Sequence, residues 1–184
     1  MKPEIIRTRS FAEEAASFIV HTAEEAIEEH GFFQLALSGG NTPRAVYQAL
    51  ALRECRWPKW IVTFGDERCV PPDDPQSNYR MASEAFLMLV GPGEVFRIQG
   101  EIDPEEAAAH YNSTLKGLAD RFGEERYTHD LILLGLGTMG IPPLCFRVPL
   151  LWTKRRRMLS AISCRNSTRI ESHSPIRRST WRAV

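Results

Sequence analysis

From residue 33 the chain reads Phe33-Gln34-Leu35-Ala36-Leu37-Ser38-Gly39-Gly40-Asn41-Thr42-Pro43-Arg44. Five residues of strand character run into a Ser-Gly-Gly turn. Residues 45–52 then carry apolar side chains at helical spacing, with Thr42 placed to cap that helix and Pro43 in its first turn. Strand, glycine loop and helix in that order open a βα unit.

The same alternation extends on both sides. Residues 11–30 repeat apolar positions every three or four residues (Phe11, Ala15, Ile19, Ala23, Ile27) among glutamates, which predicts an amphipathic helix ended by Gly31. Downstream, a buried-type strand is expected over Trp60–Phe64, a helix over 78–89 and a strand over 95–98. A helix over 104–122 and a strand over 130–134, running into Gly135-Leu136-Gly137, complete the series. Strands alternating with helices predict an α/β fold, a mostly parallel doubly wound sheet with helices on both faces. Ligands of such sheets bind at the carboxyl ends of the strands.

At those ends lie the residues with chemistry. Gly39 and Gly40 let backbone approach a ligand, and the helix that follows, after Asn41 and the Thr42 cap, offers unpaired N–H groups to an anion, with Arg44 adding charge. A capped glycine turn explains the same residues. The spacing is neither G-x-x-x-x-G-K-[ST] nor G-x-G-x-x-G, so a nucleotide is not implied. Gly65-Asp66-Glu67-Arg68 brings two carboxylates and a guanidinium to the next strand end, fit for base, orienting or phosphate-holding roles, or for a structural ion pair. Ser77 and Asn78 read first as a helix cap and second as substrate contacts. His21, His30 and His110 fall in helices, and His129 precedes a strand at the opposite sheet end, so none is placed as a general base. Cys55, Cys69, Cys145 and Cys164 lack metal-ligand spacing, and neither a metal nor a cofactor is expected.

The formal net charge of zero conceals an asymmetry. Residues 1–138 hold 13 Lys and Arg against 22 Asp and Glu, whereas residues 139–184 hold 10 against one, so −9 is joined to +9. No run of eighteen apolar residues is present and the N-terminus has no secretory h-region, which points to a cytoplasmic chain with no membrane partner.

Taken together, Leu35-Ala36-Leu37-Ser38-Gly39-Gly40-Asn41-Thr42-Pro43, Phe64-Gly65-Asp66-Glu67-Arg68-Cys69-Val70-Pro71, Ser77-Asn78-Tyr79 and Asp130-Leu131-Ile132-Leu133-Leu134-Gly135-Leu136-Gly137 resemble the 6-phosphogluconolactonase family. Its fold is similar to that of glucosamine-6-phosphate deaminase. The resemblance implies hydrolysis of 6-phospho-D-glucono-1,5-lactone without metal or cofactor. It implies a phosphate end lined by Gly39, Gly40 and Thr42 with Arg68 nearby, and Asp66 at the position of the deaminases' catalytic aspartate. A sugar-phosphate isomerase or deaminase, or an inactive sugar-phosphate binder, stands as the alternative. The expected partner is the phosphorylated lactone, met by a monomer.

After Gly137 the family continues close to Asp-Gly-His-Thr-Ala-Ser-Leu-Phe-Pro-Gly, whose histidine, the resemblance implies, activates the water. Here the chain has Met139-Gly140-Ile141-Pro142-Pro143-Leu144-Cys145-Phe146-Arg147 instead. Codons for Thr138 to Lys154 read from each third base permit that motif at every junction, and Met139/Gly140 forces its glycine. The expectation is therefore a lactonase-like domain over residues 1–138, incomplete relative to the family, followed by an out-of-frame, basic and disordered tail over 139–184. Clustered Lys154-Arg155-Arg156-Arg157 and Arg177-Arg178 suit a nucleic-acid patch by charge alone, but the frame reading makes no nucleic acid the expectation.

Overall fold

A seven-stranded sheet in the order β1-β9-β8-β6-β2-β3-β5 organises the computed structural model, which describes residues 4–135, 146–147, 157–164 and 167–173. Its strands are β1 (Glu4–Thr8), β2 (Phe33–Leu37), β3 (Trp60–Phe64), β5 (Glu94–Val95), β6 (Leu131–Gly135), β8 (Arg157–Cys164) and β9 (Ser167–His173). β2 runs parallel to β3 and β6, β3 parallel to β5, and β6 parallel to β8; only the β8–β9 and β9–β1 pairs are antiparallel. The expected mostly parallel α/β sheet is what forms. The edge of β6, which an incomplete domain would leave bare, is paired with β8 over Leu131–Gly135. A two-stranded ribbon joins β4 (Asp66–Glu67) to β7 (Phe146–Arg147). Whether residues 139–184 are in frame concerns the gene, and the rest of that segment lies outside the described residues.

Helices α1 (Phe11–His30), α2 (Asn41–Leu50) and α3 (Asn78–Ala82), the last continuing through a π-turn at Ser83–Leu87 into α4 (Met88–Val90), cover one face. Side chains alternate across a strand, so Phe33, Leu35 and Leu37 of β2 and Trp60, Val62 and Phe64 of β3 share that face and form the core with Ile19, Tyr47, Leu50 and Phe86. Trp60 is fully buried, edge-on to Phe33 and stacked obliquely on Trp57, and burying one such ring contributes about 2–3 kcal/mol. Helix α5 (Pro104–Arg121) packs on the other face, where Tyr111 meets Thr63.

One helix start differs from expectation, one helix gains a cap, and one strand is added. Helix α2 starts at Asn41, with Gly40 at its N-cap and no side-chain cap, because the positive φ of Gly40 (107°) turns the chain into the helix before Thr42. Thr42 is thus a helical residue and not the cap. Helix α5 gains a true cap from Asp103, whose carboxylate accepts from the Glu105 and Glu106 amides at 2.9 and 3.2 Å. β1 was not expected at all. Among the described residues no helix is long and apolar enough to cross a membrane.

Candidate functional site

Parallel strands deliver their following loops to one sheet end, and the loops after β2 and β3 are tied there by a Gly65 N–H donating to the Leu37 carbonyl at 2.8 Å. Between them opens a cleft of about 400 Å³. Gly40, Asn41 and Arg44 form one wall, Arg68, Ser77 and Asn78 another, and Arg80 and Glu84 stand at the rim. Six of the ten residues expected to serve the site therefore line a single cavity.

The remaining four are placed otherwise. Gly39 lies behind the wall: a Cβ there would sit 1.9 Å from Asn78 Oδ1, so its lack of a side chain makes room for the Asn78 amide. Asn78 Nδ2 in turn donates to the Asp66 carbonyl at 3.1 Å, linking the glycine loop to the acidic one. Asp66 and Thr42 do not line the cleft, although Asp66 lies near enough to Tyr47 for its charge to add to the effect of burial in raising the phenol's pKa. Glu67 is the largest departure. It is 2% exposed, and its carboxylate accepts from the backbone N–H groups of Arg68 (2.8 Å), Asn78 (2.7 Å) and Tyr79 (2.9 Å) and from the Ser77 hydroxyl (3.3 Å). Its oxygens are committed to building the wall, so it is not free to contact a ligand.

Ser77 does cap its helix, accepting from the Arg80 amide at 3.1 Å. Arg80 donates to Glu84 at 2.7 Å and to the Asp73 carbonyl at 2.6 Å, which pins the proline-rich loop to α3. Neither Arg80 nor Glu84 was read as a site residue. A signal existed in their spacing, since residues three and seven positions after a helix cap return to the same corner. Gly100 is a second omission: a Cβ on it would lie 2.1 Å from the Arg68 carbonyl, so the loop bearing Arg68 rests directly on this glycine.

Chemically, the cleft favours anions. The first turn of α2 presents its free N–H groups, Arg44 is exposed, and Arg68 keeps a buried Nε that has no hydrogen-bond partner among the described residues. The Ser38 hydroxyl, at the root of the loop, is likewise buried and unpartnered among them. Three of the described histidine side chains are bound elsewhere. Thr63 Oγ1 donates to the Leu35 carbonyl at 3.2 Å and therefore accepts from His129 Nε2 at 2.7 Å, while His30 pairs with Asp130 and His110 with Gln99. Among the described residues no cluster of three or more His, Cys, Asp or Glu could hold a metal ion.

Gly39→Ala tests the wall. It is expected to displace the Asn78 amide, to cost about 1–3 kcal/mol of stability in urea unfolding, and to weaken phosphate affinity about tenfold. A variant with the parent's midpoint and affinity would show that Asn78 moves aside freely.

Fold and cleft define an α/β protein with a cleft at the carboxyl ends of its parallel strands, lined by two arginines and the first turn of a helix. The family model described as glucosamine-6-phosphate isomerases/6-phosphogluconolactonase matches residues 7–140, and the chain belongs to this family. It is similar to a 6-phosphogluconolactonase of Treponema pallidum (38% identical over 133 residues, 68% of this chain and 54% of the relative). One of Synechocystis is also 38% identical, over 146 residues, 76% and 61% of the two chains. Among solved structures, the 6-phosphogluconolactonase of Thermotoga maritima aligns with a TM-score of 0.62 at 28% identity, covering 69% of this chain and 56% of that one. A monomeric glucosamine-6-phosphate deaminase aligns at 0.54 and 19% identity, a likeness of fold. The chain spans about half the length of the curated relatives it matches.

Proposed function

We propose that the cleft holds the phosphate of 6-phospho-D-glucono-1,5-lactone or of its product, 6-phosphogluconate, and that the parent activity is hydrolysis of this lactone in the oxidative pentose phosphate pathway. The observation that carries the reading is the convergence of Arg44, Arg68 and the first turn of α2 on one open cavity, with the buried Arg68 Nε unpartnered among the described residues. A phosphate there accepts from helix N–H groups and from the guanidinium. Anchoring that end fixes the lactone carbonyl beside the water, and such positioning supplies much of the rate. Asp66 orients the sugar ring or the water. The protein acts as a cytoplasmic monomer without a nucleic-acid partner, a reading that salt-dependent filter binding and sedimentation check.

Arg68→Ala is expected to weaken 6-phosphogluconate binding ten- to a hundredfold, as loss of a charge-assisted contact of roughly 1.5–3 kcal/mol would. Calorimetry measures this, and an unchanged affinity overturns the assignment. Turnover of glucosamine-6-phosphate in place of the lactone would favour the isomerase or deaminase alternative.

We also propose that residues 139–184 are an out-of-frame continuation created by loss of one base in the Thr138 codon. Support comes from the reversal of charge at that position, from the codon junctions that permit the lost motif, and from the family match, which ends at residue 140. One nucleotide read across the codon tests it: if restoring a base does not open a frame encoding that motif, the proposal falls.

A further inference from the structure

Two buried tyrosines make the same unusual contact at the two strand ends that carry the site. Tyr47, on α2, accepts from the Ser38 N–H at 3.0 Å and donates to the Ser38 carbonyl at 2.8 Å. Tyr111, on α5, accepts from the Phe64 N–H at 2.8 Å and donates to the Phe64 carbonyl at 2.9 Å. One hydroxyl thus satisfies both backbone groups of one residue, as a neighbouring strand would.

Sheet pairing stops short of both places where they act. β6 pairs with β2 only at Leu35 and Ala36, and β5 pairs with β3 only at Ile61 and Val62, so Ser38 and Phe64 lie beyond the last paired residues on those sides. Both residues are buried, at 7% and 1% exposure, where unpaired backbone groups would be costly. The tyrosines are themselves 0% and 3% exposed, held among core side chains that fix their rings. Ser38 leads directly into Gly39-Gly40 and the start of α2, and Phe64 into Gly65-Asp66-Glu67-Arg68.

We infer that Tyr47 and Tyr111 are positioning residues of the anion site: each supplies, at one strand end, the backbone partner that sheet pairing does not, and so sets where one wall of the cleft begins. Tyr47 closes its unit locally, across nine residues, so that the helix following the glycine loop also anchors the strand preceding it. Tyr111 acts across 47 residues and makes α5, which contributes nothing to the cleft lining, a determinant of where Arg68 stands. The inference rests on the anion site proposed above, and neither phenol touches the ligand.

Tyr47→Phe and Tyr111→Phe keep the rings and delete the clamps. Ile19→Val, in the core of α1 and far in sequence from both loops, serves as a stability control. The expected result is that each phenylalanine variant binds inorganic phosphate about tenfold more weakly, the factor that loss of about one hydrogen bond's worth of positioning gives, while Ile19→Val binds as the parent does. Amide hydrogen exchange supplies a readout independent of ligand. Tyr47→Phe should speed exchange selectively at residues 38–41, Tyr111→Phe at residues 65–68, and Ile19→Val at neither. Parent-like phosphate affinity in both phenylalanine variants overturns the inference whatever the exchange. If the parent itself binds no phosphate, the anion site falls and exchange alone decides: selective loosening keeps the clamps, and uniform loosening across the sheet overturns them.

Discussion

Glu67→Ala is expected to lower the free energy of unfolding by about 3–5 kcal/mol, because it removes a buried charge and strands the groups that surround it. Three backbone N–H groups and one hydroxyl converge on this carboxylate at 2.7–3.3 Å; Glu67 itself is 2% exposed, and the Ser77 and Asn78 donors are buried with it. Glu67→Gln keeps one acceptor oxygen but turns the other into a donor facing N–H groups, so it should recover only part of the loss, leaving about 1–3 kcal/mol. Urea unfolding of the two variants measures both figures. A loss below about 1 kcal/mol for the alanine variant would mean that the surrounding amides find other acceptors, and that the carboxylate is not what holds the wall.

Restoring one base in the Thr138 codon is expected to raise lactone hydrolysis by roughly 10²- to 10⁴-fold over the chain as it stands, the range that a positioned general base contributes. Among the described side chains no histidine reaches the cleft: His129 is bound to Thr63, His30 to Asp130 and His110 to Gln99. The chain as written should therefore bind the sugar phosphate and hydrolyse the lactone near its spontaneous rate. Following acid release from freshly made lactone, with and without each protein, separates the cases. Hydrolysis by the present chain well above background would show that some other group activates the water.

Much of this architecture was legible in the residues. Helix α1 and its Gly31 terminus, the strands β2, β3 and β6 and the Ser77 cap all follow from local periodicity and turn chemistry, because the information that determines them lies within a few residues. What was missed depends on distant partners. Glu67 reads like its neighbour Asp66 until the amides of Asn78 and Tyr79, more than ten residues later, are seen to close on it. Tyr111 looks like one more apolar position of α5, and nothing near it in sequence announces Phe64. Gly39 reads as a place where backbone meets a ligand, whereas what approaches it is the Asn78 side chain. Strand β1 escaped notice because Glu4–Thr8 mixes charged and apolar residues and gains its pairing only from β9.

The bonds made by Glu67 also bear on evolution of the loop between Arg68 and Ser77. One side chain staples both ends of that excursion, since its acceptors are filled by the amide just before the proline-rich segment and by those just after it. Apart from the Arg80 bond to the Asp73 carbonyl, the span from Pro71 to Gln76 can change length or composition at small entropic cost, because closure is already enforced at its base. Variation in this surface loop can alter what the mouth of the cleft admits while leaving Arg68 and Asn78 where they are.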